Sequence, residues 1–369
     1  MAAPLKDQFG PDVPARIAAA IEAVHPTFPT DSFLHDALHG FEDLELTPRC
    51  RQIARALHDH LPGDYDAAID VLIASLGPSS GREQLTGMAA FFYAPHVFFV
   101  ADYGLEHWET SMRAQYELTQ LFTAEYSIRA FLDHEPERTL ARLHEWAGDP
   151  SPDVRRLVSE GTRPRLPWAP RLRRFMLDPS PVLELLELLR DDPSLYVRRS
   201  VANNLNDIGK DHPGLLVDTC RRWLDHPTDG RRWLVRRALR SAVKRGDPAA
   251  LEVLGFRMSD TTQVHQVTIE PSRPRIGERV RISVVVGNAG TRRAAINVDL
   301  RVHFVKASGS TSPKVFKVRE VELEPGERVA MSKTVSLQQQ TTRTHYPGSH
   351  QVDLVVNGMN HPAGSFELV

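Results

Sequence analysis

Two patterns of apolar and polar residues divide the chain. Over the first 255 or so residues, apolar side chains recur at steps of three and four, which is the period of amphipathic helices. Past about residue 262 they alternate with polar residues in four segments, 263–271, 278–286, 296–305 and 350–356. Turn sequences at Asn288-Ala-Gly, Pro325-Gly-Glu and Pro347-Gly-Ser stand between such segments. Short alternating strands at this spacing predict a β-sandwich of immunoglobulin-like size.

A repeated segment lies within the helical part. Its copies are centred on Val154, Val197 and, more loosely, Val235, each followed by two arginines. The valines are 43 and 38 residues apart, close to the period of roughly 40–47 residues in HEAT and armadillo repeats. Asp-Pro pairs before the first two copies suit helix starts. We therefore expect a multidomain α-then-β fold, with a right-handed α-solenoid of HEAT-like repeats over residues 1–258 and an immunoglobulin-like β-sandwich over 264–369.

Charge is unevenly distributed along the 369 residues. The net charge is only -2, but residues 1–150 carry 10 Lys and Arg against 23 Asp and Glu. Residues 151–250 carry 20 against 13, and residues 251–369 carry 15 against 11. A basic middle region of net +7 predicts a local site for a polyanion. The two cysteines have no metal or disulfide spacing, and no apolar leader or membrane span is present, so we expect a protein of the reducing cytoplasm with no membrane partner.

The stretch from Arg155 to Trp168 is the most informative for function. It places Glu160 among four arginines, and Trp168 lies between Pro167 and Pro170. Arginines neutralise phosphate, and aromatic planes stack on bases. A lone carboxylate in such a patch repels a nucleic-acid backbone, so its presence suggests a specific role. One such role is to stabilise positive charge that develops on a substrate.

The repeat register suggests where the carboxylates lie. Aligning the three valines puts Glu160 opposite Asn203, and Asp207 follows Asn203 by one helical turn. Two carboxylates and several arginines could therefore share one concave surface. The competing interpretation is that Arg156 and Glu160 form an exposed pair four residues apart, worth a few tenths of a kcal/mol.

Glu125 and Trp168 each allow two interpretations. Glu125 fills the gap in an apolar stripe formed by Leu118, Leu121, Ile128 and Leu132, and a buried acid needs a partner or a function. It could pair with Arg129 one turn on, pair with an arginine of the next helix, or belong to a functional site. Trp168 could fill the core between repeats or project as a stacking surface.

Other motifs carry little. The chain has no GxGxxG, Walker A or GxSxG sequence, and no HExxH accompanies its scattered histidines. His58 and His60 would face different ways on one helix. We therefore predict neither a metal nor a cofactor.

Three segments resemble the AlkC branch of the bacterial DNA alkylation-repair glycosylases, relatives of AlkD built from HEAT-like repeats. They are Ala124-Glu125-Tyr126-Ser127-Ile128-Arg129, Arg155 through Gly161 to Pro167-Trp168, and Arg198-Arg199-Ser200-Val201-Ala202-Asn203-Asn204-Leu205-Asn206-Asp207-Ile208. The resemblance covers most of residues 1–255, and the appended sandwich is similar to that of the subgroup with a C-terminal immunoglobulin-like domain. Tyr126 and Ala130 depart from the Phe and Pro expected there.

The resemblance implies a monofunctional DNA glycosylase of base excision repair. Such proteins release cationic N3-methylated bases, 3-methyladenine and 3-methylcytosine, from kinked double-stranded DNA without full base flipping. Carried over by motif, the catalytic set is Glu160, Glu125 and Asp207, and the residues for lesion or DNA binding are Trp168, Arg156, Arg163, Arg165, Arg199 and Asn203. Glu160 is expected to stabilise the oxocarbenium-like sugar and to position water. Glu125 and Asp207 would assist, and Trp168 would pack against the lesion nucleotide.

We expect the enzyme to act as a monomer. No lysine nucleophile lies in the matching motifs, so no lyase step is expected. The alternative is a non-catalytic HEAT-repeat scaffold or structure-specific DNA-binding protein whose carboxylates are structural.

Overall fold

The computed structural model describes residues 5–77, 87–340 and 343–369. Helices occupy the chain up to Val253, as the three- and four-residue apolar steps predict. They are α1 (Asp12–Glu22), α2 (Thr30–Leu38), α3 (Leu46–His60), α4 (Tyr65–Ser75), α5 (Ala94–Tyr103), α6 (Trp108–Thr119), α7 (Glu125–His134), α8 (Pro136–Trp146), α9 (Pro152–Gly161), α10 (Arg173–Leu177), α11 (Ser180–Leu189), α12 (Leu195–Ile208), α13 (Pro213–Trp223), α14 (Asp229–Ala238), α15 (Arg240–Arg245) and α16 (Pro248–Val253). Within the described ranges, no helix has the length and apolar character needed to cross a bilayer.

The three copies of the repeat coincide with α9, α12 and α14. Val154, Val197 and Val235 are completely buried, so the alignment made on these valines marks equivalent core positions. The aspartates before the first two copies do not cap the helices themselves, contrary to the expectation. Asp149 accepts a hydrogen bond from the amide of Ser151 at 2.8 Å, and Asp192 accepts one from Ser194 at 2.8 Å. Each aspartate therefore orders the turn before its helix, because the helix begins three residues later.

Close packing of α9 on α7 depends on Gly161. A Cβ atom at this position would lie 2.5 Å from Cγ2 of Ile128, well inside van der Waals contact. Gly161 therefore lets the C-terminal end of α9 approach the first turns of α7. This approach brings the neighbouring side chain, Glu160, towards the residues at the start of α7.

In the described part of residues 262–369, seven strands form the C-terminal sandwich. They are β1 (Thr262–Glu270), β2 (Arg279–Asn288), β3 (Ala294–Val305), β4 (Thr311–Leu323), β5 (Arg328–Ser336), β6 (Gly348–Val356) and β7 (Met359–Leu368). The strands pair antiparallel in two sheets, ordered β1-β2-β5 and β4-β3-β6-β7. Alternate residues of the facing sheets, such as Val280, Ile282, Leu300 and Leu354, make the core. The sandwich architecture is confirmed.

The four segments predicted as strands correspond to β1, β2, β3 and β6. The predicted turns also lie between strands or at their ends. Three strands, β4, β5 and β7, had not been singled out. β7 contains Pro362 and Gly364, residues that weaken a strand pattern, and its partner β6 has a register shift between Val352 and Asp353.

The chain divides into two compact units that do not coincide with the change from helix to strand. Leaving the first residue aside, one unit comprises Ala2–Asp211 with Thr228–Leu234, and the other comprises His212–Pro227 with Val235–Val369. The second unit thus joins the last helices to the sandwich. Within it, a Cβ on Gly358 would lie 2.9 Å from the carbonyl oxygen of Gly246 and from Leu251, and the Asn357 amide donates to the carbonyl of Arg257 at 2.8 Å. The proposed division into domains at residues 258–264 stays a prediction.

A chain cut near Thr261 tests that division. We expect it to remain a folded helical domain, because the core formed by residues 5–77 and 87–211 contains no strand residues. Its melting temperature should fall below that of the full chain, since α15 and α16 lose their packing against the Gly358 turn. Circular dichroism during thermal unfolding measures both. Gly358→Ala in the full chain is the companion variant, because it disturbs the same contact alone. An insoluble fragment would contradict the independent helical domain.

Candidate active site

The three predicted carboxylates and two of the predicted arginines, Arg156 and Arg163, meet in one chain of ion pairs. Glu125 at the start of α7 contacts Arg156 of α9 at 2.7 Å, and Arg156 lies 3.6 Å from Glu160. Glu160 pairs with Arg163 at 2.6 Å, and Arg163 pairs with Asp207 of α12 at 2.7 Å. Charges of opposite sign therefore alternate across three helices, since α9 packs against both α7 and α12.

Glu160 is buried, which rules out the interpretation of an exposed pair with Arg156. Only 6% of the residue is accessible to solvent. Arg163 donates to its Oε1 at 2.6 Å and the Ser200 hydroxyl donates to its Oε2 at 2.5 Å. Burial opposes ionisation, but the charges of Arg156 and Arg163 and these hydrogen bonds outweigh it, so the pKa of Glu160 lies below its ordinary value. The carboxylate is therefore ionised at neutral pH.

Glu125 does not belong to a continuous helical stripe. α6 ends at Thr119 and α7 begins at Glu125, so the apolar pattern spans a break between two helices. The carboxylate lies at a helix N-terminus, where the helix dipole stabilises negative charge. Its partner is Arg156, not Arg129, and the Thr123 hydroxyl donates to it at 2.7 Å. Of the alternatives for Glu125, the ion pair with Arg129 is wrong.

Asp207 and Arg163 are as buried as Glu160. The side chain of Asp207 is 2% exposed, and it also accepts from Lys210 at 2.7 Å. Arg163 is 7% exposed and donates to a carboxylate at both ends of its guanidinium. This geometry favours a role for Arg163 in holding the carboxylates, because a phosphate contact would require one of its pairs to open.

The other basic and polar candidates differ in accessibility. Arg165 is engaged with Asp211, with its Nε 2.8 Å from the carboxylate. Asn203 is half-buried on α12. Arg199 is exposed, and no acidic partner is found for it in the described ranges. Arg199 is therefore the candidate most available to a phosphate.

Trp168 projects into solvent and does not fill the core. It is 77% exposed, and its φ of 65° lies in the left-handed region, where a bulky side chain is strained. No contact joins it to the ion-pair chain in the described residues. It borders a cleft of about 390 Å³ whose other lining residues include Arg51, Phe98, Tyr126, Arg129 and Pro170.

Arg129 holds the loop that carries Trp168. Its buried guanidinium donates to the carbonyls of Gly161 at 3.0 Å and Arg163 at 2.7 Å, and also to the carbonyl of Pro170. Burial lowers the pKa of Arg129 to about 10, so the side chain still carries its charge at neutral pH. These bonds span both ends of the loop and fix the place from which Trp168 projects.

Sequence reasoning missed Ser200, Thr123 and the role of Arg129. A signal existed for Ser200. In the repeat register it stands where the other copies have Leu157 and Ala238, so it interrupts a buried apolar position. The described ranges contain no group of three or more His, Cys, Asp or Glu that could hold a metal ion.

Known proteins match this chain over nearly its whole length. Residues 263–369 match the family described as "Uncharacterised protein YhaZ, C-terminal Ig-like domain". The protein YhaZ of Bacillus subtilis (strain 168) is 35% identical over 359 residues, or 96% of this chain and 97% of its own. The structure of the alkylpurine DNA glycosylase AlkC of Pseudomonas fluorescens, bound to DNA containing an abasic site analog, is 35% identical with a TM-score of 0.92 and full coverage of both chains. The chain belongs to the AlkC family. Membership in the AlkC family confirms the resemblance, the solenoid fold and the immunoglobulin-like domain.

The exposure of Trp168 generates a prediction about the loop. We expect Trp168→Ala to change the free energy of unfolding by no more than about 0.5 kcal/mol, and so to leave the melting temperature nearly unchanged, because an exposed side chain contributes little to stability. Arg129→Met should lower the melting temperature, because the buried carbonyls of the loop lose their donor. Differential scanning calorimetry of the two variants checks both. A large fall in melting temperature for Trp168→Ala would show that the indole ring packs against the protein.

Proposed function

We propose that this protein is a monofunctional DNA glycosylase of base excision repair. It hydrolyses the N-glycosidic bond of cationic N3-methylated bases, 3-methyladenine and 3-methylcytosine, in double-stranded DNA. The observation that carries the proposal is the set of buried carboxylates, each paired with a basic side chain, on three adjacent helices of an AlkC-family chain. A full-length likeness to a DNA glycosylase that was solved on DNA supports it.

Departure of the base needs little assistance from the protein. An N3-methylated base is already cationic, so it takes the electron pair of the glycosidic bond and leaves as a neutral molecule without a general acid. The sugar becomes oxocarbenium-like at C1′, where nearby carboxylates lower its energy. Water then adds to C1′ and loses a proton to a base. Glu160 is the best candidate to stabilise the sugar and to receive that proton.

The other site residues have supporting roles. Glu125 and Asp207 add negative charge and orient Glu160 through the shared arginines Arg156 and Arg163. Trp168, displayed on a fixed loop, packs against the lesion nucleotide in kinked DNA without full base flipping. No cofactor takes part in these steps, and the enzyme acts as a monomer.

One observation favours the alternative of a non-catalytic DNA-binding scaffold. Every carboxylate of the site is paired with a basic side chain, as in a purely structural network. The two functions separate in one assay, because only an enzyme generates abasic sites in methylated DNA. Alkali cleavage of those sites gives a direct count of released bases.

Glu160→Gln should nearly abolish base release while DNA binding survives or tightens. The amide keeps the shape of the side chain but removes the charge that stabilises the sugar. Single-turnover excision from a duplex with one 3-methylcytosine, beside fluorescence anisotropy for binding, measures the two effects. Glu184→Gln on α11 is the matched control, because that carboxylate is 70% exposed. Excision at the wild-type rate by Glu160→Gln would remove Glu160 from the mechanism.

Selectivity should follow the charge of the base. Uracil, hypoxanthine and 8-oxoguanine leave as anions unless a donor assists them, and ionised carboxylates only accept hydrogen bonds. We expect release of 3-methyladenine and 3-methylcytosine and no release of those three. A panel of single-lesion duplexes at one salt concentration tests this. Efficient uracil excision would require a donor for the leaving base and would overturn the electrostatic mechanism.

Arg199→Ala should weaken binding to damaged and undamaged duplexes alike. If Arg199 contacts one phosphate, the slope of log affinity against log salt should fall by about 1, because fewer counterions are released. Anisotropy titrations over a range of salt measure the slope. Arg113→Ala on α6, another exposed arginine, serves as the control. An unchanged slope would place the DNA away from Arg199.

A further inference from the structure

Ser200 is buried on α12, and among the described residues it alone hydrogen-bonds to Oε2 of Glu160. The residue is 3% exposed, and its hydroxyl lies 2.5 Å from Oε2 of Glu160. It also lies 3.0 Å from the Ser159 hydroxyl. An ionised carboxylate can only accept a hydrogen bond. The single proton of Ser200 is therefore directed to Glu160, and the Ser159 hydroxyl can donate to the Ser200 oxygen.

The two oxygens of Glu160 are held from different sides. Arg163, which follows α9, binds Oε1, and Ser200 of the next repeat binds Oε2. Arg156 is the other basic neighbour, and it also lies on the Oε1 side at 3.6 Å. Loss of the Ser200 hydroxyl would leave Oε2 with no partner in the described ranges. The plane of the carboxylate would then be fixed at one oxygen only.

Other buried polar side chains lie around this contact, at the interface between α9 and α12. This polar strip consists of Ser159, Thr162, Ser200 and Asn204. Asn204 lies one turn after Ser200 and donates to the Ser159 carbonyl at 2.7 Å and to Thr162 at 3.1 Å. In the other copies the position of Ser200 holds Leu157 and Ala238. Packing between repeats therefore does not require a hydroxyl here. A buried polar group that packing does not require, aimed at an ionised carboxylate, indicates a functional constraint.

We propose that Ser200 is a positioning residue for Glu160, which orients the carboxylate and keeps it ionised for the hydrolysis of the glycosidic bond. The role is indirect, because Ser200 is buried and acts through its hydrogen bond to Glu160. This inference rests on the proposed function for its catalytic consequence. Its electrostatic consequence, a higher pKa of Glu160 once the hydroxyl is lost, holds for the protein whatever reaction it performs.

Ser200→Ala tests the proposal, and Ala is the residue that the third copy of the repeat has at this position. Single-turnover release of 3-methylcytosine should fall about tenfold at neutral pH, because a hydrogen bond to a charged group is lost. The acid limb of the pH–rate profile should move to higher pH. Ser200→Thr, which restores a hydroxyl, should recover the rate and the profile. Thr162→Val removes another buried hydroxyl of the strip that does not contact Glu160, and it should keep the wild-type profile.

A second measurement is independent of activity. Titration of the ¹³C-labelled carboxyl of Glu160 by NMR, assigned with Glu160→Gln, should give a higher pKa in Ser200→Ala than in the wild type. If the wild type releases no methylated base, the proposed function fails, and the titration alone judges the role of Ser200. An unchanged pKa together with an unchanged pH–rate profile in Ser200→Ala would overturn the inference. A fall in rate that is equal at every pH and is not recovered by threonine would also overturn it.

Discussion

The pairing of Arg163 with two carboxylates from different repeats is the interaction on which the site depends. Glu160 and Asp207 are both almost inaccessible to solvent, and burying either carboxylate without a partner is costly. Arg163 lies between them, with contacts of 2.6 and 2.7 Å. Removing one partner of such a buried pair costs about 3–5 kcal/mol. The packing of α9 on α12 and the pairing of these buried side chains are therefore coupled, because each depends on the other.

This coupling explains why the site lies where the repeat departs from its own pattern. The repeat buries apolar residues at equivalent positions, and Val154, Val197 and Val235 keep its core. Ser200 and Asn204 replace apolar or small residues along α12 and face α9 instead with hydrogen bonds. Such a polar contact between repeats stabilises less than an apolar one of the same area. In return, this polar contact helps to fix both carboxylate oxygens of Glu160.

The features that the sequence predicted are those set by period and register. Alternation located four of the strands, and the valine alignment placed Glu160 and Asp207 on adjacent helices. The partner of Glu125 was not predictable in this way, because the break between α6 and α7 moves it to a helix start and turns it towards Arg156. The grouping of the last helices with the sandwich was also missed. This grouping depends on close backbone contacts between Gly246 and Gly358. Such contacts cannot be predicted from a pattern of apolar and polar side chains.

The pairing also resolves the conflict of an acidic site in a protein proposed to bind DNA. Three carboxylates alone would repel the phosphates that the basic middle region attracts. In the folded chain, Arg156, Arg163 and Lys210 balance Glu125, Glu160 and Asp207, so the site has little net charge before the reaction. Because these pairs act over a short range, the ionised carboxylate of Glu160 still dominates the potential immediately beside it. A cationic sugar formed beside Glu160 would be stabilised by that nearby negative charge. A phosphate several ångströms away would instead experience the combined field of the acidic and basic side chains, which largely cancel.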